Sequence, residues 1–215
     1  MNKFSKIYEK FISNISLFDD DLHDFNSKIK SSIENLNVLV IGGAGTIGSN
    51  YIKEILRYRP KNLTVVDHNE NGLTELTRDL RSSSLLDYGP EYITYPVNLL
   101  SETFNKAFHS NYYDVVANFS AHKHVRSEKD IISVEALIKN NVFGAIKLLS
   151  LCMERPPKNF FSVSTDKAAN PVNIMGASKS LMEKLIISMK DQFNVSTARF
   201  ANVAFSNGSL LDGFV

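Results

Sequence analysis

Three consecutive residues late in the chain, Thr165, Asp166 and Lys167, carry side chains that suit acid–base chemistry. The hydroxyl can hold a ligand by hydrogen bonding, while the carboxylate and the ammonium can exchange protons with it. A neighbouring positive charge lowers the pKa of a lysine, which suits a general base, and an aspartate shielded from water can hold a proton and donate it. The composition leaves a second interpretation open, in which Asp166 and Lys167 are solvated loop charges.

Two further polar segments could meet this one. Residues 118–125 contain His122 and His124, which would share one face of an extended segment. A metal centre needs more ligands, and the segment has no cysteine or acidic residue at ligand spacing, so we predict loop or substrate-facing roles for these histidines. Residues 173–179 begin a helix that carries Met175 and Lys179.

A glycine-rich turn follows the first predicted strand. Residues 38–41 are apolar and mostly β-branched, which is typical of a buried strand, and glycines follow at 42, 43, 45 and 48. A turn of this kind offers backbone N–H groups and a helix N-terminus to a phosphate. The next strand ends at Asp67, about 20 residues after the last glycine, where a ribose-binding carboxylate belongs. The pattern predicts a dinucleotide site, and the alternative is an ordinary turn of an α/β protein.

The elements that must position these residues alternate regularly. We predict strands at 38–41, 63–67, 92–97, 114–118, 160–163 and 196–200, and helices at 47–57, 70–81, 102–109, 134–151 and 176–193. This order predicts an α/β fold, a Rossmann-type doubly wound parallel sheet with helices on both faces. Ligands bind at the carboxyl ends of such strands, so the polar segments and the glycine turn should meet there. Asn98 follows the third strand, at a position that commonly faces the adenine.

The first 36 residues are predicted to form a helical extension ahead of one domain at 37–215. Apolar residues recur at helical spacing between Phe4 and Ile15, and a second helix starting near Asp19 would carry Leu22, Phe25, Ile29 and Ile33. We expect the extension to pack on the domain surface or against a second subunit. A peripheral membrane anchor is the weaker alternative, because acidic residues are frequent.

Composition excludes several classes of protein. The formal net charge of the 215 residues is +1, so the charge gives no indication of nucleic-acid binding. The single cysteine, Cys152, permits no disulfide within the chain and is expected to be a buried helical residue. We find no signal peptide and no stretch that approaches the length of a membrane span, so we expect a soluble cytoplasmic protein.

Several motifs together resemble one known family. These are 42–48 (GGAGTIG), 67–70 (DHNE), 121–125 (AHKHV), 141–144 (NVFG), 164–168 (STDKA), 175–179 (MGASK) and 199–203 (RFANV). The chain resembles the extended short-chain dehydrogenase/reductases. More narrowly, it is similar to the nucleotide-sugar 4,6-dehydratases of bacterial polysaccharide and glycan biosynthesis, which act on UDP-N-acetylglucosamine. The resemblance runs from about residue 17 to the C-terminus.

The resemblance implies a reaction and a set of roles. The sugar is oxidised at C4, water is eliminated across C5–C6, and hydride returns to C6, so the nicotinamide cofactor is recycled. Lys167 would remove the C5 proton, Asp166 would protonate the leaving hydroxyl, and Thr165 would hydrogen-bond near O4. Lys179 would bind the nicotinamide ribose, and Asn141 would support the site. Lys123, His124 and Asn202 would lie near the substrate.

The expected cofactor is NAD, because the carboxylate of Asp67 repels the 2′-phosphate of NADP, although the neighbouring His68 leaves NADP as an alternative. A UDP-sugar and a second copy of the chain are the expected partners. The cofactor-binding residues expected from the glycine turn and the resemblance are Gly42, Gly43, Ala44, Gly45, Thr46, Ile47, Gly48, Asp67, His68, Asn69, Asn98, Leu99, Ser120, Ala121 and Lys179.

The chain departs from the family pattern at several points. Met175 stands where most of the superfamily has the tyrosine that serves as base for the alcohol, although one branch of the dehydratases carries methionine there. Arg126 replaces a frequent proline and Ala201 a usual glycine. The C-terminal region that grips the substrate nucleotide is largely absent. Two other functions therefore remain open, a UDP-sugar 4-epimerase or 4-keto reductase, and a non-catalytic dinucleotide-binding protein.

Overall fold

The structure is a computed structural model, and it describes residues 19–122, 128–201 and 203. Strands and helices alternate after two short N-terminal helices. The strands are β1 (Asn37–Ile41), β2 (Asn62–Asp67), β3 (Glu91–Pro96), β4 (Val115–Asn118), β5 (Asn159–Thr165) and β6 (Asn194–Phe200). The helices are α1 (Asp19–Asp24), α2 (Asn26–Ser31), α3 (Thr46–Leu56), α4 (Glu70–Ser82), α5 (Glu102–His109), α6 (Ile131–Ile138), α7 (Gly144–Glu154) and α8 (Ile174–Ile187). A π-helical turn at Lys139–Phe143 joins α6 to α7, and a 3₁₀ turn at Asp166–Ala168 follows β5.

The six strands form one parallel sheet in the order β3-β2-β1-β4-β5-β6, which confirms the predicted doubly wound topology. The direction of winding reverses between β1 and β4, and ligands bind at such a switch point. The register pairs Ile41 with Asn118, so the glycine turn and the segment after β4 leave the sheet side by side. Thr165, at the end of β5, pairs with Phe200 of β6.

Two apolar layers hold the helices to the sheet, and β1 contributes to both. Leu39 and Ile41 lie in the layer beneath α5, α7 and α8, whereas Val38 and Val40 lie in the layer beneath α3 and α4. This alternation follows from the two-residue period of a strand that is covered on both faces. Each fully buried aliphatic side chain of this kind stabilises the fold by about 1.5–3 kcal/mol.

The long helix predicted at 134–151 is interrupted in the structure. Residues 131–154 are helical throughout, but the π-helical turn separates α6 from α7. These 24 residues, with a mean hydropathy of 1.3 in their most apolar window, are long and apolar enough to cross a membrane. The expectation that no stretch approaches this length was therefore wrong. Half of that window is buried, with Leu148 and Cys152 in the core. A buried core helix can reach the same length and hydropathy as a membrane span.

The helix predicted to start near Asp19 is two short helices in the structure. The chain leaves helical geometry at Phe25, which is 55% exposed, and resumes it at Asn26. Ile33 lies beyond α2 and is buried against the layer beneath α3. Periodicity placed Ile33 on the apolar face of the predicted helix, and the structure buries it, but periodicity overstated the continuity of the helix. The apolar residues predicted to be helical between Phe4 and Ile15 lie outside the described residues.

Candidate functional site

The glycine turn leads directly from β1 into α3. Gly42 adopts φ +75°, a left-handed conformation that favours glycine, and its N–H donates to Val66 O at 2.8 Å. Helix α3 begins after Gly45, which has no side chain with which to cap the first turn. The positive end of the helix dipole thus faces the edge of the sheet, as it does in anion-binding helices.

The glycines of this turn serve different purposes. A Cβ atom on Gly42 would come within 2.6 Å of Ser120 N, one on Gly43 within 2.3 Å of a methyl group of Val65, and one on Gly48 within 2.3 Å of Gly42 O. A Cβ on Gly45 would have its nearest neighbour, Gly42 O, at an ordinary 3.5 Å. The packing of the chain therefore requires glycine at 42, 43 and 48, whereas at Gly45 it leaves open space in front of α3. This cradle fits the predicted pyrophosphate.

Asp67 stands at the end of β2 beside the turn. One carboxylate oxygen accepts the Ala44 N–H and the other accepts the Asn69 N–H, each at 3.0 Å. His68 Nδ1 lies 3.4 Å from the same carboxylate. Asp67 is thus held against the glycine turn, with His68 exposed beside it, where the sequence predicted the adenosine ribose.

Further residues predicted to contact a dinucleotide follow the ends of β3 and β4. Asn98 caps the loop after β3, because its Oδ1 accepts the Leu100 N–H at 2.8 Å, and Leu99 is buried in the core. Ser120 donates from its hydroxyl to Asn118 Oδ1 at 2.7 Å, and its backbone lies against Gly42. The segment after β4 therefore lies close to the glycine turn.

Asn141, in the π-helical turn, ties three elements together. Its Oδ1 accepts the His122 N–H at 2.9 Å, and its Nδ2 donates to His122 O at 3.1 Å and to Ser178 Oγ at 3.0 Å. Asn141 is buried, and π turns inside α-helices are frequent at functional sites. Burial and the nearby His68 ring lower the pKa of His122. The asparagine thus fixes the backbone of the segment that precedes the predicted substrate-binding residues.

Thr165, Asp166 and Lys167 form a compact hydrogen-bonded group at the end of β5. The Thr165 hydroxyl donates to Asp166 Oδ1 at 2.8 Å, and Lys167 Nζ lies 3.3 Å from the same oxygen. These bonds, the threonine bond first, lower the pKa of Asp166. Its side chain is 52% exposed, so the expected shielding from water is not seen among the described residues. The carboxylate is ionised in this state and needs a covering group before it can hold a proton.

Helix α8 begins at this group and carries Met175 and Lys179. Asn173 caps the helix by accepting the Gly176 N–H at 2.7 Å, and a Cβ on Gly176 would approach Lys167 O to 2.7 Å. This close contact sets the start of α8 against the acid–base group. Met175 is buried, and no thioether can exchange a proton, so this position supplies no base.

Lys179 is buried in the interior of the site. Its Nζ donates to Val163 O at 2.7 Å and lies 3.3 Å from Met182 Sδ. Burial lowers the pKa of Lys179 to about 8, an effect that the carboxylate of Glu183 opposes. The predicted ribose-binding lysine is thus buried and has a lowered pKa.

Sequence reasoning assigned no role to four residues around α8, although two of them, Ser164 and Arg199, lie in the motifs at 164–168 and 199–203. Glu128 Oε1 accepts the Met175 N–H at 2.7 Å, which attaches the segment before α6 to the start of α8. Glu183 and Arg199 form a two-bonded ion pair, and Ser164 is buried beside Glu183 and lowers its pKa. Ser164 Oγ makes no hydrogen bond of standard geometry among the described residues, so its interaction with Glu183 is weaker than that of Arg199. The pairing of Glu183 with Arg199 cannot be read from the sequence, because it depends on the position of β6 in the sheet.

The remaining site predictions fall outside the description. Lys123, His124 and Asn202 lie outside the described residues, as does Arg126. Their predicted roles toward a substrate stay predictions. Among the described residues, no group of three or more histidine, cysteine or acidic side chains is arranged to hold a metal ion.

The fold is that of the short-chain dehydrogenase/reductases, and the glycine turn has the geometry of a dinucleotide-binding turn. Among solved structures, Pen from Bacillus thuringiensis superposes with a TM-score of 0.74 at 26% identity, over 85% of this chain and 56% of that one. A short-chain type dehydrogenase/reductase from Mycobacterium ulcerans superposes with a TM-score of 0.72 at 16% identity, over 84% of this chain and 74% of that one. The second likeness supports the fold alone.

The chain belongs to the polysaccharide biosynthesis protein family, whose model matches residues 38–215. An uncharacterized membrane protein of Methanocaldococcus jannaschii is 35% identical over 85% of this chain and 54% of its own. A UDP-N-acetylglucosamine 4,6-dehydratase (inverting) of Campylobacter jejuni is 28% identical over 83% of this chain and 52% of its own. A UDP-glucose 4-epimerase of Rickettsia felis is 28% identical over the same shares. The chain thus spans about half the length of these relatives.

Proposed function

We propose that this protein is a nucleotide-sugar 4,6-dehydratase that acts on UDP-N-acetylglucosamine or a similar UDP-sugar in surface polysaccharide or glycan biosynthesis. The observation that carries the proposal is the group of Thr165, Asp166 and Lys167 at the carboxyl end of β5, with Gly176 at the start of α8 packed against Lys167 O. The resemblance to the dehydratases and the Campylobacter jejuni relative support the same reaction.

The glycine turn supports a nicotinamide dinucleotide as the cofactor. The open space at Gly45 and the uncapped N-terminus of α3 would hold the pyrophosphate, and Asp67 would hold the adenosine ribose. A buried carboxylate there disfavours a 2′-phosphate, so we propose NAD over NADP. When bound, the nicotinamide supplies the acceptor for the hydrogen removed at C4 and its donor at C6.

The acid–base group would carry out the elimination. A ketone at C4 acidifies the proton on C5, and Lys167 Nζ would remove that proton. The C6–O bond then breaks, and Asp166 would protonate the departing hydroxyl so that it leaves as water. The Thr165 hydroxyl now donates to Asp166; with substrate present it would turn toward O4.

Asp166 must gain a proton before it can act as an acid. Its carboxylate is exposed and stabilised as an anion by Thr165 and Lys167, which is the opposite of what the acid role needs. A substrate that displaces water and takes the Thr165 hydrogen bond would raise the pKa of Asp166. We therefore propose that substrate binding passes a proton from the Lys167 ammonium to the Asp166 carboxylate, 3.3 Å away, which forms the acid and the neutral amine base together.

The epimerase relative favours one alternative, a UDP-sugar 4-epimerase. Both reactions begin with oxidation at C4, and because Met175 cannot take the proton of the C4 hydroxyl, Asp166, Lys167 or water would take it in either case. What disfavours the epimerase is that epimerisation has no use for an acid–base pair acting at C5 and C6. A non-catalytic dinucleotide-binding protein remains the third reading, since the chain covers only half of its relatives.

The protein in its full natural length is incubated with NAD and UDP-N-acetylglucosamine, and the products are separated by chromatography before their masses are determined by mass spectrometry. The dehydratase proposal expects a product lighter by one water. Conversion to an isomer of unchanged mass would establish the epimerase instead, and bound NAD without turnover of any UDP-sugar would establish the non-catalytic reading.

Lys167→Ala should abolish water loss while leaving the affinity for NAD unchanged, because Lys167 is the proposed base, paired with Asp166, and is not among the residues proposed to bind the cofactor. Lys190→Ala, which removes an exposed lysine after α8, is the matched control and should keep normal turnover. Near-normal turnover by Lys167→Ala would contradict the assigned role.

We also propose that the protein is a cytoplasmic homo-oligomer. Phe143, at the end of the π-helical turn, and Ile146 and Met153 of α7 are each at least 40% exposed and recur at helical spacing. An apolar stripe of this kind is typical of an interface between subunits. Because UDP-sugars are the proposed substrates, the cytoplasm is the compartment that we infer.

A further inference from the structure

We propose that Arg199 is a positioning residue that acts through Glu183 to keep Lys179 weakly held and available to the bound cofactor. Arg199 lies on β6, Glu183 and Lys179 lie on α8, and the three charges follow one another as cation, anion and cation. This inference rests on the proposed role of Lys179 as the ribose-binding lysine.

The geometry of the ion pair shows that Glu183 is fully engaged by Arg199. Arg199 Nε donates to Glu183 Oε1 at 2.9 Å, and Arg199 Nη2 donates to Glu183 Oε2 at 2.7 Å. The side chain of Glu183 is only 6% exposed, whereas that of Arg199 is 48% exposed. A planar guanidinium that binds both oxygens of a carboxylate satisfies it in a way that a single ammonium cannot.

Lys179 lies one helical turn before Glu183, at a spacing that allows an ion pair. Its ammonium is instead directed at the carbonyl oxygen of Val163, on β5. A carboxylate with unsatisfied oxygens at position 183 would compete for this ammonium. Arg199 prevents that competition because it already occupies both oxygens.

The other charged groups around α8 have partners of their own. Asp166 and Lys167 pair with each other on the 3₁₀ turn, and Glu128 accepts the Met175 N–H at the start of the helix. Lys139, in the π-helical turn, pairs with Glu135 of α6. Lys184, the next cation of α8 itself, is exposed. Glu183 is therefore the described carboxylate whose charge acts on Lys179.

The burial of Lys179 explains why the charges of Glu183 and Arg199 affect its protonation. The pKa of Lys179 falls to about 8 because of burial, and the Glu183 carboxylate raises it against that trend. Arg199 is the main cause of the lowered pKa of Glu183. A lysine poised near this value can exchange a proton close to neutral pH, whereas one tightly paired with a carboxylate could not.

The two single variants should shift the pKa of Lys179 in opposite directions. Arg199→Gln removes the cation and frees Glu183 to attract Lys179, so the pKa should rise by about one unit. Glu183→Gln removes the attraction and leaves the cation, so the pKa should fall by a similar amount. If the ion pair serves only to hold α8 against β6, either variant should expose Lys179 to water. The pKa of Lys179 should then rise in both variants, because burial is what lowers it.

The pKa is measured by NMR on the full protein with ¹³C-labelled lysine side chains, and the Lys179 signal is assigned by its absence in Lys179→Met. Arg78→Gln, which removes the same charge from an exposed pair on α4, is the matched control and should leave the signal unchanged. Arg199→Lys should restore part of the wild-type value, and Glu183→Gln/Arg199→Gln should fall between the single variants. Shifts of one sign, or no shift, in two folded variants would overturn the inference.

A second readout separates this inference from the proposed reaction. The affinity for NAD is measured against pH by calorimetry in the wild type and in Arg199→Gln, without any sugar substrate. We expect the pH at which affinity changes to move upward with the pKa of Lys179. If this shift is found but no UDP-sugar loses water, the dehydratase proposal fails and the inference about Arg199 stands. If water is lost but the NAD profile does not move, the inference fails alone.

Discussion

The glycine turn allows a sharp separation between residues that serve the fold and a residue that serves the ligand. We compare Gly45→Ala with Gly48→Ala, two substitutions that add the same methyl group three residues apart. The Gly48 methyl would lie 2.3 Å from Gly42 O and 2.9 Å from Gly43 Cα, so backbone must move. Overpacking of this kind costs about 1–3 kcal/mol in the free energy of unfolding.

The Gly45 methyl meets no such obstacle, because its nearest neighbour is at 3.5 Å and the residue already has φ −74° and ψ 161°. Alanine is a poorer N-cap than glycine by about 0.5–1 kcal/mol, and it loses about 0.4–1 kcal/mol less backbone entropy on folding. These effects offset each other, so Gly45→Ala should change stability by less than about 1 kcal/mol. The methyl would fill the space proposed for the pyrophosphate, and 1–3 kcal/mol of crowding corresponds to about a 5- to 150-fold loss of NAD affinity.

Stability is measured by urea unfolding and NAD affinity by calorimetry. Gly89→Ala is the control for a purely conformational cost, because Gly89 has φ +76° and no neighbour within 4 Å of an added Cβ. It should lower stability without changing NAD affinity. The reasoning is refuted if Gly45→Ala binds NAD as the wild type does, or if it unfolds as easily as Gly48→Ala.

Two further predictions concern the acid–base group and the exposed stripe of α7. Thr165→Val removes the hydrogen bond that is the largest cause of the lowered pKa of Asp166, so that pKa should rise. In ¹³C NMR, the carboxyl carbon of Asp166 should titrate at higher pH in the variant. An unchanged titration would contradict the assigned cause. Stability supplied by the ionised carboxylate is present above its unfolded pKa and is lost as the pH falls through the lowered folded pKa, so the variant should lose stability mainly at neutral pH and little in acid. Phe143→Glu places a charge on the proposed interface and should dissociate the oligomer, as measured by light scattering after gel filtration, whereas a wild-type protein that is already monomeric would contradict the interface.

Much of the fold was predictable because its signals are local. The apolar runs of β1 and β2, the glycines between β1 and α3, and the regular alternation with helices each depend on a few neighbouring residues. Parallel strands joined by right-handed crossovers leave few other ways to order the sheet. The errors concern the continuity of helices: the helix predicted near Asp19 is broken at the exposed Phe25, and the helix predicted at 134–151 contains the π-helical turn around the buried Asn141. Apolar spacing does not show such interruptions.

By itself, the sequence determined the class of the protein and the residue types of its chemistry. Glycine spacing, a carboxylate at the end of β2, and the run of Thr165, Asp166 and Lys167 are properties of short segments, so they can be read without coordinates. The tertiary structure decided which of these residues share an environment. It buried Lys179, left Asp166 exposed, and showed that packing requires three of the four glycines. It also brought Arg199 to Glu183 across 16 residues, a contact that depends on the pairing of β6 with β5 and that no spacing rule predicts.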